Sequence, residues 1–317
     1  MHELTKTTIE TLSDEQVRIL LHLKWVEPLH EQLLSMPNTI VDNLFTKVNG
    51  LVAKYNTGLV EVEQQIADAS KGLSLMLNNL TGSKFDMKAF GELNSLLSRD
   101  SLELIKMVSL EKMFPIPGAT TPEVRFKSFK GDWAVRPIFE IFTKEAEKGH
   151  PELPVLSASQ ELGMINRDSI GISMQYSKQN TYSYKRVRPG RFVIHLRSFQ
   201  GGFAHSAIDG ITSPAYTVLS LKDPEQHSDL FWKFLFTSPM FIKRLEVVTY
   251  GIRDGRSISV DDFFNLSFCF PLDPKEQIYI AEFFSRLDTL ISAQEQKLGK
   301  LRSLKKSFLE KMFVALP

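Results

Sequence analysis

Between Asp168 and Asp209 the chain carries no acidic residue. The same window holds Lys178, Lys185, Arg186, Arg188, Arg191 and Arg197, with Tyr176, Tyr182, Tyr184, Gln175, Gln179, Asn180 and Gln200 among them. Cations interleaved with rings and amides are the set that meets phosphates and base edges of a duplex. The same composition also suits a solvated strand face on a protein of formal net charge +1, so both readings stand on this feature alone. The sharpest candidate within the window is Arg197-Ser198-Phe199-Gln200-Gly201-Gly202. Arg can fork onto guanine and Gln onto adenine, each pair worth about 1–3 kcal/mol of discrimination, and Gly201 and Gly202 permit close backbone approach. A turn between strands that uses glycine for positive φ is the plain alternative. Lys178, Gln179, Tyr182, Lys185 and Arg186 form a second group, suited to phosphate contacts. Gly251-Ile252-Arg253-Asp254-Gly255-Arg256-Ser257 is a third basic, Gly-rich loop, in which Arg253 and Arg256 would face DNA unless Arg253 pairs with Asp254.

Other reactive residue types point away from catalysis. His195 and His205 are too few for a metal site and read as structural or DNA-facing. The single cysteine, Cys269, sits in the apolar run Leu266-Ser267-Phe268-Cys269-Phe270-Pro271 and reads as a buried thiol; it excludes an internal disulfide or a multi-cysteine metal site. The chain has no Gly-x-x-x-x-Gly-Lys-Ser/Thr loop and no His-Glu-x-x-His, and Asp261-Asp262 beside Phe263-Phe264 looks like a helix start. No catalytic residue, metal or cofactor is expected.

The elements that must position these loops follow from periodicity and punctuation. Residues 8–98 read as helices: Ser13-Asp14-Glu15-Gln16 is a cap with acids in the first turn, Val17, Leu20, Leu21, Trp25 and Leu29 recur at helical spacing, and Pro28 and Pro37 punctuate the run. Pro115-Ile116-Pro117-Gly118-Ala119-Thr120-Thr121-Pro122 reads as a linker. From 123 to 272 short apolar runs alternate with turn signals around a helix at Leu230–Thr237 and another after Pro239, the mark of a mixed α/β domain. One long helix opens at Asp273-Pro274, and its stripe of Ile280, Phe284, Leu287, Ile291, Gln294, Leu298, Leu301, Leu304, Phe308 and Met312 reads as a coiled-coil seam. Leu287, Ile291, Gln294, Leu298, Leu301 and Phe308 are its candidate dimerisation residues, against the plainer reading of a core helix within one domain. A short near-repeat frames the middle of the chain: Ser109-Leu110-Glu111-Lys112-Met113-Phe114 returns as Phe308-Leu309-Glu310-Lys311-Met312-Phe313, so one helix ending is used twice with a module between.

Two of these segments resemble the specificity subunit of type I restriction–modification systems. Glu276-Gln277-Ile278-Tyr279-Ile280-Ala281-Glu282-Phe283-Phe284-Ser285-Arg286-Leu287-Asp288-Thr289-Leu290-Ile291, continued to Lys311-Met312-Phe313, is similar to that family's spacer helix. Pro122-Glu123-Val124-Arg125-Phe126, then Phe129 and Asp132-Trp133, resembles the entry into its target recognition domain, and Gly201-Gly202 and Ile211-Thr212-Ser213-Pro214-Ala215-Tyr216-Thr217-Val218 resemble its interior. The likeness covers 100–317. A full specificity subunit has two recognition domains and two spacer helices, where this chain has one of each. Residues 11–97 instead resemble the C-terminal helical tail of the type I methyltransferase subunit, through Leu12-Ser13-Asp14-Glu15-Gln16-Val17, Lys24-Trp25-Val26-Glu27-Pro28-Leu29 and Leu80-Thr81-Gly82-Ser83-Lys84-Phe85-Asp86-Met87-Lys88. The resemblance lacks the Asn-Pro-Pro-aromatic and Phe-x-Gly-x-Gly stretches of an adenine methyltransferase.

These readings imply an α+β protein of four segments: 1–98 helical, 99–122 helix remnant and linker, 123–272 target recognition domain, and 273–317 spacer helix. The resemblance implies a non-catalytic DNA-binding subunit that reads half of a bipartite site. Its partners would be duplex DNA, the methyltransferase subunit, the translocase/nuclease subunit, and a second copy or another half subunit. A helical assembly protein that regulates the complex without reading DNA is the rival reading; a self-contained enzyme of unfamiliar motif is a remoter one. Apolar content is 43%, no apolar run approaches the ~18 residues that span a bilayer, and Met1-His2-Glu3-Leu4-Thr5-Lys6 lacks a signal-peptide pattern. A cytoplasmic location is therefore expected.

Overall fold

A computed structural model describes residues 11–96, 98–159, 162–167, 178–194, 203–250 and 257–313, and the protein is α+β. Helix α1 (Asp14–Leu21) opens as the capping residues direct. Gln16 N donates to Ser13 Oγ at 3.3 Å, and Ser13 N donates back to Gln16 Oε1 at 2.9 Å. A π turn (His22–Val26) follows, with Glu27 N–H bonded to His22 O, just ahead of Pro28, whose ring has no N–H to continue an α-helical ladder. Helix α2 (Glu27–Asn78) then runs 52 residues straight through Pro37, contrary to the expected break. Hydroxyls around the proline take up backbone oxygens: Ser35 Oγ donates to Gln32 O at 2.9 Å and Thr39 Oγ1 to Ser35 O at 3.0 Å.

Packing divides the chain into two compact units, 1–64 with 295–317, and 65–294. The divisions fall inside helices rather than at the linker expected from Pro115 to Pro122. The linker is not a gap, because Trp133 N donates to Thr120 O at 2.8 Å and Val124 N to Lys112 O at 3.0 Å, while Phe114 and Val124 are buried at its ends.

In the larger unit, α2 ends at a short strand β1 (Leu80–Thr81), followed by α3 (Lys84–Leu96) and α4 (Arg99–Lys112). Ser83 caps α3, and its Oγ donates to Asp86 Oδ2 at 2.7 Å. Lys112, in the first copy of the repeated ending, donates to buried Asp86 at 2.6 Å. β2 (Arg125–Phe126) pairs with β1, and β3 (Ala134–Pro137) leads through α5 (Ile138–Ile141) to β4 (Phe142–Glu145). β5 (Leu156–Ser159) and β6 (Gly163–Asn166) form a hairpin. After a 3-10 turn (Lys178–Ser183) come β7 (Lys185–Val187), β8 (Phe192–Ile194), β9 (Phe203–His205), β10 (Gly210–Thr212) and β11 (Thr217–Leu221). The largest sheet is antiparallel in the order β4-β11-β8-β9, and β7 pairs with β10.

Helices α6 (Asp229–Thr237) and α7 (Pro239–Leu245), both capped by serine, close over that sheet. β12 (Thr249–Tyr250) pairs with β13 (Ser257–Ile258), α8 (Val260–Asn265) starts at Ser259 with Asp261 and Asp262 in its first turn, and β14 (Ser267–Phe270) pairs with β3. The core is aromatic: Phe142 meets Phe192, Trp232 and Phe236 with ring centroids 5.2–5.6 Å apart, edge-on or tilted. Cys269 lies in it, and burial pushes its thiol up to about 11, which suits an inert residue.

The last helix, α9 (Pro274–Phe313), starts where Asp273 caps it, Lys275 N donating to Asp273 Oδ1 at 2.9 Å. Its first half is a core helix on more than one face. Ile280, Phe283, Phe284, Leu287 and Leu290 are buried, and Phe284 stacks on Phe114 with centroids 6.0 Å apart. In the smaller unit α9 and α2 run antiparallel, Lys297 pairing with Glu63 at 2.8 Å and Lys300 Nζ donating to Gly58 O at 2.6 Å, over buried Leu51 and Val62. No helix among the described residues is long and apolar enough to cross a membrane.

Candidate nucleic-acid interface

Two of the three basic segments join strands that pair with each other. Residues 195–202 connect β8 to β9, which are in register at Ile194 and Phe203, and residues 251–256 connect β12 to β13, in register at Tyr250 and Ser257. His195, Arg197, Ser198, Gln200, Gly201, Gly202, Arg253 and Arg256 themselves lie outside the described residues. The anchor of the first is aromatic: Phe203, next to Gly202, meets Phe263 of α8 with centroids 5.0 Å apart, and also Phe241 at 5.0 Å and Phe236 at 5.2 Å. Ser259 N, just past β13, donates to Val248 O at 3.1 Å and closes the base of the second hairpin. Side chains on loops held by rigid strands are well suited to recognition.

The third segment is built differently from expectation. Lys178 and Gln179 sit on the 3-10 turn, with side chains outside the described set, and Tyr182 is 66% exposed. Lys185 and Arg186, expected to contact phosphates, are instead engaged within the protein. Lys185 Nζ donates to Tyr216 O at 2.6 Å, and burial, then the charge of Lys148, lowers its pKa. Arg186 forks onto Asp209 at 3.1 and 2.7 Å and reaches Glu147 at 3.2 Å. The bond to Asp209 raises the Arg186 pKa and the same bond lowers that of Asp209. Glu147 also receives Arg188 at 2.8 Å and His150 at 2.9 Å. Burial pushes the Glu147 carboxyl up, but the bonds from Arg186 and His150 and the arginine charges outweigh it, so its pKa lies below the ordinary value. Arg191 donates to Glu145 at 2.9 Å. Three arginines of the acid-free window, Arg186, Arg188 and Arg191, thus meet carboxylates at Glu145, Glu147 and Asp209, pairings that no local pattern shows.

His205 is structural: its Nε2 lies 2.7 Å from Asp229 Oδ2, and that contact holds the Asp229 carboxyl low. Gly163, at φ +73, passes so close to His205 O that a Cβ could not fit, which locks β6 against β9. A second small core of Leu156, Met164, Val187, Val193, Ala204 and Val218 supports this platform. Among the described residues no group of three or more His, Cys, Asp or Glu could hold a metal ion.

The feature that local reading missed is the joint between this domain and α9. Glu276, only 2% exposed, accepts Arg125 Nε at 2.7 Å and Nη2 at 2.8 Å, and Trp133 Nε1 at 3.3 Å. Arg125 Nη1 also donates to Gly131 O at 2.6 Å. Beside it, fully buried Gln277 accepts Ser228 N at 3.0 Å and donates to Pro271 O at 2.8 Å and Gln226 O at 3.3 Å. A Glu-Gln pair in the first turn of the helix, just ahead of its apolar stripe, was the available signal.

The candidate dimerisation residues divide. Leu287 and Ile291 are buried in the chain's own core, beside the Lys106–Asp288 ion pair at 2.7 Å, so they are not free to meet a second copy. Up to there the core-helix alternative describes α9, because α4 and α6 already cover that face. Gln294 and Phe308 are half-buried, and Leu298 and Leu301 are exposed.

No protein-family model matches the chain, and no curated protein matches it. Among solved structures, it is similar to the HsdS subunit from Thermoanaerobacter tengcongensis, with 13% identity over 84% of this chain and 57% of that one, at a TM-score of 0.41. It is also similar to the S subunit of a type I restriction-modification system from M. genitalium, with 10% identity over 86% and 62% and a TM-score of 0.43. A third likeness, 17% identical over 71% and 55% with a TM-score of 0.43, is to a chain of a structure described as bearing on complex assembly and conformational transition of the type I R-M system. The chain thus spans between 55% and 62% of their lengths.

Proposed function

We propose that this chain is a non-catalytic DNA-recognition subunit, similar in role to half of a type I specificity subunit, that reads one half of a bipartite site and docks a methyltransferase subunit. The observation that carries the reading is the buried joint of Arg125, Trp133, Glu276 and Gln277. These residues belong to the two segments whose sequence resembles the specificity subunit. A spacer helix can measure the gap between half-sites only if its angle to the recognition domain is held, and a charged fork plus a fully satisfied amide holds it. Segments 195–202 and 251–256 carry the proposed base and phosphate contacts, and Tyr182 of the third segment is exposed. Lys185 and Arg186 keep the platform in shape.

Selection from a pool of randomised duplexes, with and without a type I methyltransferase subunit, tests this. The expected result is an enriched motif, split with a fixed gap when two chains are present. Arg197→Ala with Gln200→Ala should lower specific binding about tenfold or more, from the loss of one to two base contacts, while helix content stays unchanged; an unaltered sequence preference would remove these residues from the site. The exposed apolar helix before residue 46 favours the assembly-protein reading as second choice, and absence of enrichment at low salt would move the conclusion there.

A further inference from the structure

Every described residue from Ser13 to Lys47 is exposed, although the stretch is helical and rich in apolar side chains. Fifteen large ones between Val17 and Phe45 are more than a third exposed, including Trp25 at 66%, Leu34 at 64% and Ile40 at 65%. Monomeric proteins rarely leave so much contiguous apolar surface in water. The same stripe continues down α2: Leu33, Ile40, Leu44 and Val48 lead in steps of three, four or seven to Leu51, and Val62 follows eleven residues on; Leu51 and Val62 are buried where α9 runs alongside. Lys300 lies level with Gly58, so antiparallel pairing brings the end of α9, Phe313, level with about residue 45. The stripe is exposed from the point where its own partner helix ends.

Charge indicates what covers it. Residues 14–45 carry five acids, Asp14, Glu15, Glu27, Glu31 and Asp42, against Arg18 and Lys24. Residues 295–310 of α9 carry Lys297 and Lys300, which its own α2 engages through Glu63 and Gly58, and three further bases, Arg302, Lys305 and Lys306, the last 3.8 Å from Glu310. α9 also keeps Leu298, Leu301 and Leu309 exposed after packing on its own α2. Each copy therefore offers one acidic apolar segment and one basic apolar face.

We propose that the N-terminal helical segment 14–45 docks on residues 295–310 of a second copy of this chain, reciprocally about a two-fold axis. A two-fold axis uses both complementary surfaces twice, and a stable interface needs roughly 800 Å² per partner. This deepens the bipartite reading, on whose pairing of two chains it rests, and relocates the contact from Leu287 and Ile291 to the N-terminal helix.

Sedimentation equilibrium of the full chain at low salt tests it. The expected mass is twice the 36.1 kDa of one chain. Glu27→Lys with Glu31→Lys and Asp42→Lys should weaken association at least tenfold, as should Arg302→Glu with Lys305→Glu and Lys306→Glu, with helix content by circular dichroism unchanged. Mixing the two variants should restore association. A monomeric wild-type chain at tens of micromolar, variants that still pair, or a mixture that does not associate would each overturn the proposal, as would a monomer whose segment 14–45 binds a methyltransferase subunit instead. If either triple variant loses helix, Leu33→Gln with Ile40→Gln reads the same contact. DNA selection on the monomeric variants separates the two ideas: an enriched half-site leaves the recognition reading intact even if the pairing fails.

Discussion

At the scale of single residues, the joint at Glu276 decides how the domain and the helix meet. Both side chains of the Arg125–Glu276 pair are nearly inaccessible, at 12% and 3% exposure. Removing one partner of a buried pair leaves an uncompensated charge and costs about 3–5 kcal/mol. Arg125→Met should lose that much in equilibrium urea unfolding, and Glu276→Gln less, because an amide oxygen still accepts from Arg125 and Trp133; a loss under ~1 kcal/mol for Arg125→Met would show the fork to be incidental. His227 gives a pH dependence. It packs against the rings of Trp232 and Phe270, and burial lowers its pKa below the ordinary 6.5, the charge of Asp223 opposing and that of Arg136 assisting. The folded state thus prefers the neutral ring. Its contribution is full above pH 6.5 and is lost as pH falls through the depressed folded value. Unfolding free energy should fall on acidification below pH 6.5, and His227→Phe should flatten that part of the profile; an unchanged slope would assign it to other groups.

At the scale of elements, the two halves of the helical scaffold differ in what holds them. In α9, Phe283, Phe284, Leu287 and Leu290 are buried, whereas α1 has no buried residue. Amides that open without breaking a core exchange quickly. Hydrogen exchange at low protein concentration should be faster in 14–45 than in 280–291 by a hundredfold or more, and association should slow it in 14–45. The repeated helix ending shows how one motif meets different surroundings. In its first copy Lys112 bonds Asp86, which lowers the Asp86 pKa and raises that of Lys112, while Met113 and Phe114 are buried. In the second, Phe308 is half-buried and Leu309 is 49% exposed.

At the scale of the whole molecule, the balance of 38 basic and 37 acidic residues leaves no net field to draw the chain to a polyanion. The proposed binding to DNA would then depend on local basic segments. Its salt dependence should be correspondingly shallow, a slope in log Kd against log salt of about 2–4 per recognition domain if two to four phosphates are met. A slope near zero in a titration from low to physiological salt would argue against phosphate contact.

The chain's chemistry-free helices, its long final helix with Asp273 as cap, the α6 and α7 pair, the start of α8 and the buried cysteine were legible in sequence, because caps, prolines and apolar spacing act within a few residues. Tertiary structure alone decided the rest. Pro37 reads as a break, yet the helix continues through it. Lys185 and Arg186 read as phosphate ligands, but Tyr216, Asp209 and Glu147 claim them across the strands. Leu287 and Ile291 read as a seam and became core. In each case the deciding partner lies far away in sequence, and periodicity shows which side of an element is apolar or charged without showing which of several surfaces will reach it.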